Sequence, residues 1–526
     1  MAADPRFTGL LAAVGLVAAG NVLSRLLGFV REPVIAAVFG ATAQADAFEI
    51  ASRVPNTLLE VAIGGAVSAV LVPLLAGISD PAAAARLFAN VALVTALLLG
   101  SLVGLGVFFA GPIVQLLAPD LPAEAKPLAV DMLRFTLPAA LLLGLSAVVT
   151  ARLLARELFL GPAFSVSSLN AVLVVSILAL TPLLGPIAVA LGYLLGAGAH
   201  LLVQLPGLLR IDPLAARPAP WRDPNLRRAA VLYLPVLGGL LVTQLVIMVD
   251  TRLASSAGEG SLAMMRFAAR LQQFPLGAVV AAVALVLLPG LSRAAPERLA
   301  DLPGAEEFGR LLWSAARALA VGITPLALFL ILASEPIVRV VFARGQFVEA
   351  AIAPTALALV IYALALPLIA IDQLLIFAFY ACRNTILPAG VGVLGSLVFL
   401  AIAFPASAAI GFHGLVWANT VQNSLHGLVL IGLILYWTRQ RPGRSAFVFL
   451  AKIAVGGTAA GFALLAGSAA GGALEAGEPG LLTLAIALPL SAVVYLGVLH
   501  VLGVREPGVI LSLLRKRLGR GRARVS

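Results

Sequence analysis

The sequence predicts an all-α, polytopic membrane protein of about 14 transmembrane helices, with two six-helix lobes around a central cavity and two further C-terminal helices. The first observation is the composition: 61% of the 526 residues are hydrophobic and 11% are charged. Soluble domains carry about 25% charged residues, so this chain in water would expose a very large apolar surface. Composition therefore excludes soluble enzymes, disordered proteins and fibrous proteins.

The second observation is a series of long apolar segments. A helix needs about 20 mostly apolar residues to cross the hydrocarbon core of a bilayer. The segments that satisfy this length are 9–39, 45–77, 83–111, 127–155, 161–183, 186–208, 229–256, 261–291, 309–334, 350–380, 386–408, 411–437, 446–467 and 480–503. An even number of spans places both termini on the same side of the membrane.

Basic residues in alternate loops predict which side that is. The net charge is +11, and one set of loops holds most of it, including Arg86, Arg156 and Arg383, followed by a basic tail from Arg515 to Arg524. Because cytoplasmic loops are enriched in Lys and Arg, we expect a multi-pass protein with both termini in the cytoplasm. The basic residues form no stripe with interleaved aromatic residues, so no nucleic-acid partner is expected.

An internal repeat predicts the domain organisation. Similar Gly/Ala-rich stretches contain Pro73 and Pro289, which are 216 residues apart. Pro162 and Pro388, each at the start of a span, are 226 residues apart. Two halves of six helices have the same orientation in the membrane, as in a parallel repeat. The predicted domains are an N-lobe at 1–210, a C-lobe at 211–440, and 441–526 for helices 13 and 14 with the basic cytoplasmic tail.

The third observation is a set of ionisable residues inside apolar spans. An arginine at the bilayer centre costs about 2.5–3.5 kcal/mol on insertion scales, so it is expected to face a cavity or a partner. Charges cluster in the first two spans of each half. The predicted cavity residues are Arg25, Arg31, Glu32, Asp46, Glu49, Arg53, Arg266 and Arg270. In the second span, Asp46, Glu49, Arg53 and Glu60 share one helix face.

Two interpretations of these charges stay open. Individual arginines can extend to the membrane surface or pair with acids to hold helices together. Taken as a set, polar stripes on equivalent helices of two halves predict a water-filled cavity rich in arginine. Because guanidinium groups bind phosphate through two parallel hydrogen bonds, such a cavity suits an anionic substrate, phosphorylated or carboxylated.

Motifs for catalysis are missing from the sequence. No GxxxxGK[ST] phosphate loop occurs, the four histidines have no metal-ligand spacing, and Cys382 is the single cysteine. We therefore expect a transporter that is not an enzyme and that needs no cofactor.

A series of motifs in order along spans one to twelve carries a family resemblance: Asn21–Glu32, Phe39–Gly40, Ala45–Phe48, Val54–Asn56, Arg270–Gly277, Leu288–Ser292, Val341–Phe347 and Phe379–Tyr380. They resemble the MurJ (MviN) lipid II flippases of the multidrug/oligosaccharidyl-lipid/polysaccharide exporter superfamily. The resemblance implies alternating access in a bacterial cytoplasmic membrane. The cargo would be undecaprenyl-diphosphate-linked peptidoglycan precursor, moved to the outer leaflet. We further expect a monomer whose partners are lipid II or a similar polyprenyl-diphosphate glycolipid and membrane lipids.

Residue by residue, the resemblance assigns the family's cavity arginines to Arg25, Arg31 and Arg270 and its second-helix acid to Asp46. It implies that helices 13 and 14 form a groove for the lipid tail. One family arginine falls at Leu59 here.

A sodium site is the second departure from the family. That site joins the seventh span to Asn or Asp in the eleventh, and Asp250 matches its first part. The eleventh span lacks Asn and Asp, which favours the membrane potential over sodium as the driving force.

Alternative functions remain open at this stage. A flippase of another polyprenyl-linked glycan has the same requirements. A cation-coupled multidrug exporter of the superfamily is expected to have an acidic or aromatic cavity. A membrane scaffold that keeps the fold without transport is expected to bury its arginines in a closed core.

Overall fold

A computed structural model describes residues 5–64, 70–211, 224–296, 301, 305–439, 443–474 and 480–506. These residues form α-helices and connecting turns, and the described ranges contain no strand. In chain order the helices are α1 (Pro5–Phe39), α2 (Ala43–Ile63), α3 (Val72–Ala76), α4 (Pro81–Phe108), α5 (Ala110–Leu117), α6 (Ala125–Ala155), α7 (Leu160–Leu184), α8 (Ile187–Leu202), α9 (Leu205–Ile211), α10 (Pro224–Ser255), α11 (Ser261–Ala294), α12 (Glu306–Leu332), α13 (Ser334–Phe342), α14 (Ile352–Leu364), α15 (Leu366–Ala381), α16 (Ile386–Ile410), α17 (Phe412–Thr438), α18 (Arg444–Leu474) and α19 (Leu481–Val501).

The all-α membrane fold class is confirmed, and each predicted span coincides with a helix or with two consecutive helices. Within the described ranges, ten helices are long and apolar enough to cross a membrane, or eleven if a bent pair is one span. The predicted spans at α1, α2 and α11 are not among them. The count of fourteen crossings therefore stays a prediction. The predicted basic tail, from Arg515 to Arg524, lies outside the described residues.

The bent pair is α14 and α15, which the sequence analysis treated as one span at 350–380. The two helices meet at 46°, and Pro367 stands in the first turn of α15. Proline has no N–H to continue the hydrogen bonds of α14 and its ring clashes with the preceding turn. The residue pattern therefore accounts for the bend.

The chain divides into two compact units. The first contains Met1–Ala263 and the short segment Arg344–Val348, and the second contains Met264–Ala343 and Glu349–Ser526. The division falls near the start of α11, so that α10 belongs to the first unit, whereas the sequence analysis placed the lobe boundary at 210. The lobes of the sequence analysis describe a repeat, and that repeat stays a prediction.

Small residues and polar side chains hold the helices of the first unit together. A Cβ added at Gly20 of α1 would lie 2.2 Å from the carbonyl oxygen of Ala163 in α7, so only glycine permits this approach. Between α2 and α6, the Thr136 hydroxyl donates to the carbonyl of Ala51 at 2.7 Å. Arg152, in the last turn of α6, is fully buried.

In the second unit, α18 and α19 pack through small residues in the same way. A Cβ at Gly471 would meet the Cα of Thr483 at 2.4 Å, and one at Gly467 would meet the Cα of Ala487 at 2.8 Å. The pair also packs on α12, where Val321 joins a buried cluster with Phe449 and Tyr495. Close backbone approach of this kind is typical of helix pairs in membranes, where small residues allow extensive van der Waals contact.

Candidate functional site

Arg31 of α1 is the best-defined predicted site residue. Its Nε and one terminal nitrogen donate to Oε1 of Glu32, at 3.2 and 2.5 Å, and the other terminal nitrogen donates to Oδ1 of Asn170 at 3.1 Å. Glu32 is buried and the Arg31 side chain is one-fifth exposed. The guanidinium group is therefore held in one orientation by groups from two helices, and its charge is compensated locally.

Asn170 is a site residue that the sequence analysis missed. It lies in α7, where its amide nitrogen also donates to the carbonyl of Ser24 at 3.4 Å. A second missed residue, Tyr193 of α8, donates its hydroxyl to Oδ1 of Asn56 at 2.8 Å and lies within electrostatic range of Arg31. In the sequence, the signal that points to Asn170 is an amide side chain within an otherwise apolar span.

The polar residues predicted to share one face of α2 do lie in a single helix, but their environments differ. Asp46 is buried, Glu49 and Arg53 are half-buried, and Glu60 is exposed. Glu49 also lies within electrostatic range of Arg31. The structure therefore brings Glu32, Glu49 and Arg31 into one charged neighbourhood. Arg25, two turns before Arg31 on α1, is exposed.

Asp46 has a structural role that the residue pattern did not predict. Its Oδ2 accepts from the Gly260 amide and its Oδ1 from the Ala263 amide, both at 2.8 Å, so it caps the N-terminus of α11. Carboxylates at helix N-termini satisfy unpaired amides and interact favourably with the helix dipole. Asp46 is thus a helix cap whose two oxygens both accept from backbone amides, and its predicted place among the cavity residues stays a prediction.

The cap is reciprocal. Glu259, just before α11, accepts at Oε1 from the amide of Ala43 in the first turn of α2, at 3.2 Å. Gly260 has a φ of +73°, and a Cβ there would lie 2.1 Å from the carbonyl oxygen of Ala41. A side chain at this position is therefore excluded twice, by the backbone conformation and by contact.

A third chain segment closes on the same region. The amide of Gln346 donates to the carbonyl of Ala37 at 2.9 Å, at the end of α1. A Cβ at Gly40 would meet the Gln346 carbonyl oxygen at 2.2 Å. Three motifs that carry the family resemblance, around Gly40, Asp46 and Gln346, thus meet at the α1–α2 turn within the first unit.

The remaining predicted residues lie around α11 and at the end of α10. Arg270 is exposed and donates to Oε1 of Gln273 at 3.4 Å, while Arg266 is half-buried. Both belong to the second unit, whereas Arg25 and Arg31 belong to the first. The convergence of these arginines on one cavity stays a prediction.

Leu59 is the residue at which the resemblance implies that a family arginine is replaced. It packs against a buried apolar cluster of the first unit, which includes Ile63, Leu71 and Leu87. The Leu59 side chain therefore contributes to the apolar core of the first unit.

Asp250, the predicted sodium ligand, is half-buried in α10. Within the described ranges there is no group of three or more His, Cys, Asp and Glu side chains placed to hold a metal ion. Sodium binding stays untested, because backbone carbonyls also bind this ion.

A buried pair in the second unit was also missed. Nδ1 of His426 lies 2.6 Å from Oδ1 of Asp372, and its Nε2 lies 3.3 Å from the carbonyl oxygen of Pro388. The pair joins α15, α16 and α17, and both side chains are largely buried. No spacing rule connects residues 54 positions apart, so the residue pattern does not predict this pair.

Comparison with known proteins places these features in a family. The model of the family "Lipid II flippase MurJ" matches residues 35–473. A lipid II flippase MurJ from Burkholderia cenocepacia is 30% identical over 426 residues, covering 78% of this chain and 81% of that protein. A probable lipid II flippase MurJ from Rhizobium meliloti is 33% identical, covering 80% of each.

Solved structures agree on the fold. The inward closed conformation of a lipid II flippase MurJ matches with a TM-score of 0.76 at 22% identity, over 93% of this chain and 98% of that one. An inward-facing multidrug transporter of the MATE family matches with a TM-score of 0.64 at 14% identity, over 79% and 96%. With a family model that spans most of the sequence and relatives that align over four-fifths of it, the chain belongs to the MurJ family of lipid II flippases.

Proposed function

We propose that this chain is a lipid II flippase. It would move undecaprenyl-diphosphate-linked muropeptide from the inner to the outer leaflet of a bacterial cytoplasmic membrane by alternating access. Family membership supports this function, and so does the composition of a multi-pass membrane protein. The observation that carries it is the fixed guanidinium group of Arg31.

Arg31 is suited to a diphosphate. A guanidinium group has five N–H donors, and three hydrogen bonds to Glu32 and Asn170 leave two N–H groups for phosphate oxygens. Glu32 balances the arginine when no substrate is bound. A diphosphate brings more negative charge than one carboxylate, so it competes with Glu32 for the same donors.

The mechanism follows from charge compensation. In our proposal Arg25, Arg31 and Arg270 bind the diphosphate while the polyprenyl chain stays in the lipid. Neutralising the arginines removes their mutual repulsion and favours closure, after which the cavity opens to the other leaflet. A charge crossing the field gains about 2.3 kcal/mol per 100 mV. We therefore infer that the membrane potential drives the cycle, with Asp250 as a sodium ligand the alternative.

Complementation of a flippase-depleted strain tests this function. Arg25→Ala, Arg31→Ala and Arg270→Ala are expected to abolish growth support while inserting normally. Arg134→Ala is the matched control, because Arg134 is an exposed arginine of α6 paired with Asp131, and it is expected to support growth. If the three variants supported growth as well as the wild type, the assignment of these arginines would be wrong.

A vesicle assay separates the competing substrates. Purified protein in liposomes is expected to flip lipid II and to leave an undecaprenyl-diphosphate O-antigen unit in its original leaflet. Equal movement of both glycolipids would mean a broader polyprenyl-glycan flippase. Movement of cationic drugs without lipid II would favour a multidrug exporter, and movement of neither would favour a scaffold.

A further inference from the structure

The second unit contains a cavity of about 430 Å³ that the transport mechanism does not use. It is formed where α12 and α18 begin and α19 ends. Trp313, Arg317, Phe449, Lys452 and Arg505 are among the residues that line it. Every lining residue belongs to the second unit.

Positive charge dominates the wall of this cavity. Arg317 is paired with Glu506, through Nε to Oε1 at 2.6 Å and a terminal nitrogen to Oε2 at 3.0 Å. Lys452 donates to the carbonyl of Leu502. Among the described residues, neither Lys452 nor Arg505 has an acid within ion-pair distance. The described part of the wall therefore carries two positive charges in excess, and the one acid among its described residues is paired with Arg317.

We expect the cavity to lie at the depth of a membrane surface. All three helices that form it are long and apolar enough to span a bilayer. The lining residues lie within the first twelve residues of α12, within the first nine of α18, and just after the end of α19. Trp313 is 41% exposed and makes an edge contact with Phe449, with ring centroids 6.1 Å apart. Exposed tryptophan is enriched at the level of lipid headgroups, as expected for the rim of a lipid site.

Apolar surface continues from the cavity along the helices. Phe447 and Leu450 of α18 and Val501 of α19 are all more than half exposed. Their positions next to Ser445, Phe449 and the 503–506 turn put an apolar wall beside the cationic one. A soluble anion needs only the charges, whereas an acylated anion uses both walls.

We propose that this cavity binds the headgroup of an anionic phospholipid. Lys452 and Arg505 contact the phosphate, Ser314 and Ser445 supply hydroxyl donors, and the acyl chains lie along α18 and α19. The volume is at the small end for ligand pockets, which range from about 300 to 1,000 Å³. It fits a phosphoglycerol headgroup and is too small for a disaccharide with an attached peptide. The site is thus separate from the proposed substrate site at Arg31.

Quenching of tryptophan fluorescence tests the site in the full-length chain. Replacing Trp221, Trp417 and Trp437 by Phe leaves Trp313 as the only tryptophan. In nanodiscs, brominated phosphatidylglycerol is expected to quench Trp313 at about one-tenth of the mole fraction that brominated phosphatidylcholine needs, since each basic residue near a membrane surface attracts anionic lipid. Equal quenching by the two lipids would overturn the proposal.

Matched variants separate this site from the general attraction of a basic protein for anionic lipid. A chain with Trp417 alone has an equally exposed tryptophan on α17 and is expected to show no such preference. Arg505→Gln is expected to reduce the preference at Trp313 and Lys452→Gln/Arg505→Gln to remove it, whereas Arg134→Gln leaves it unchanged. Lys452 also donates to the carbonyl of Leu502, so its replacement can unfold the chain. If the double variant unfolds, the single Arg505→Gln variant tests the proposal.

Two competitors identify the source of the phosphate. Inorganic phosphate at matched ionic strength is expected to leave the quenching unchanged; relief of quenching would indicate a site for a soluble anion and overturn the proposal. Undecaprenyl diphosphate at equimolar amounts is also expected to leave it unchanged. Displacement by that lipid would assign the cavity to the transported lipid class instead, whatever the result of the complementation experiment.

Discussion

Arg31 shows how a single charged side chain is stabilised and oriented within a largely apolar helix. Desolvating an arginine is costly unless it has partners, and here Glu32 supplies charge while Asn170 supplies a neutral acceptor. Asn170 touches Arg31 from another helix, so it fixes the direction of the guanidinium group without cancelling its charge. We regard Asn170 as a positioning residue.

Replacing Asn170 tests that role. Asn170→Leu removes one hydrogen bond to Arg31 and one to the Ser24 carbonyl. A hydrogen bond to a charged group contributes about 1.5–3 kcal/mol, so we expect lipid II binding to weaken about tenfold or more with little change in protein yield. Asn170→Asp is expected to weaken binding further, because a second carboxylate competes with the diphosphate. Binding equal to the wild type in both variants would show that Asn170 is a packing residue only.

Contacts at the N-termini of α2 and α11 help to fix how the chain packs in the first unit. Asp46 of α2 caps the N-terminus of α11, and Glu259, just before α11, caps the N-terminus of α2. These contacts involve backbone amides, which every residue has, and the glycines at 40 and 260 permit the close approach. Three of the motifs that carry the family resemblance, around Gly40, Asp46 and Gln346, therefore take part in this packing.

The cap gives a graded prediction. Asp46→Ala is expected to lower the free energy of unfolding by about 2 kcal/mol, because two buried amides lose their acceptor. Asp46→Asn keeps one acceptor oxygen and is expected to lose about half as much. Thermal unfolding in detergent measures both.

Asp80 provides the matched control. It caps α4 through the same two kinds of bonds, to the amides of Ala82 and Ala83, but it is exposed. Because water replaces an exposed acceptor, Asp80→Ala is expected to cost less than Asp46→Ala. Equal losses in the two variants would contradict the importance of the buried cap.

The His426–Asp372 pair gives a second prediction for the packing of helices. His426→Leu leaves Asp372 buried without its partner and is expected to destabilise the protein by about 3 kcal/mol. The double variant His426→Leu/Asp372→Leu removes both polar groups and is expected to recover most of that loss. The midpoint of thermal unfolding decides between them; a double variant no more stable than the single would mean that the Pro388 contact matters more than the pair.

At the scale of the whole molecule, the basic loops predict the membrane topology. The α1–α2 turn, the start of α11 and the 344–348 segment meet in the first unit, and the predicted topology places all three on the outer side. Mutual contact of these segments requires a shared side of the membrane. It is consistent with the alternation of basic loops, and the cytoplasmic location of the termini remains the prediction to test.

Thiol labelling in intact cells tests the topology. Exposed positions 124 and 348 lie in predicted outer loops, so Glu124→Cys and Val348→Cys are expected to react with a membrane-impermeant maleimide. Arg156→Cys and Thr385→Cys, in predicted cytoplasmic loops, are expected to react only after permeabilisation. The reverse pattern would overturn the predicted orientation.

The native Cys382 is not expected to react with the maleimide in this experiment. It follows α15, is buried, and burial raises the pKa of its thiol to about 11. At pH 7 to 8 very little thiolate is present, and the thiolate is the reactive form. The unmodified chain is therefore expected to remain unlabelled even after permeabilisation, which makes it the negative control.

Composition and span length by themselves determined the fold class and the positions of the long helices in the described ranges, because a bilayer requires long apolar segments with internal hydrogen bonding. The residue pattern also marked Arg31 and Glu32, since charge in an apolar span stands out. Tertiary structure alone decided that Asn170 orients Arg31, that Asp46 caps a helix, and that Asp372 pairs with His426. These contacts join residues 54 to more than 200 positions apart, and helix periodicity specifies which face a side chain occupies but not which helix lies against that face.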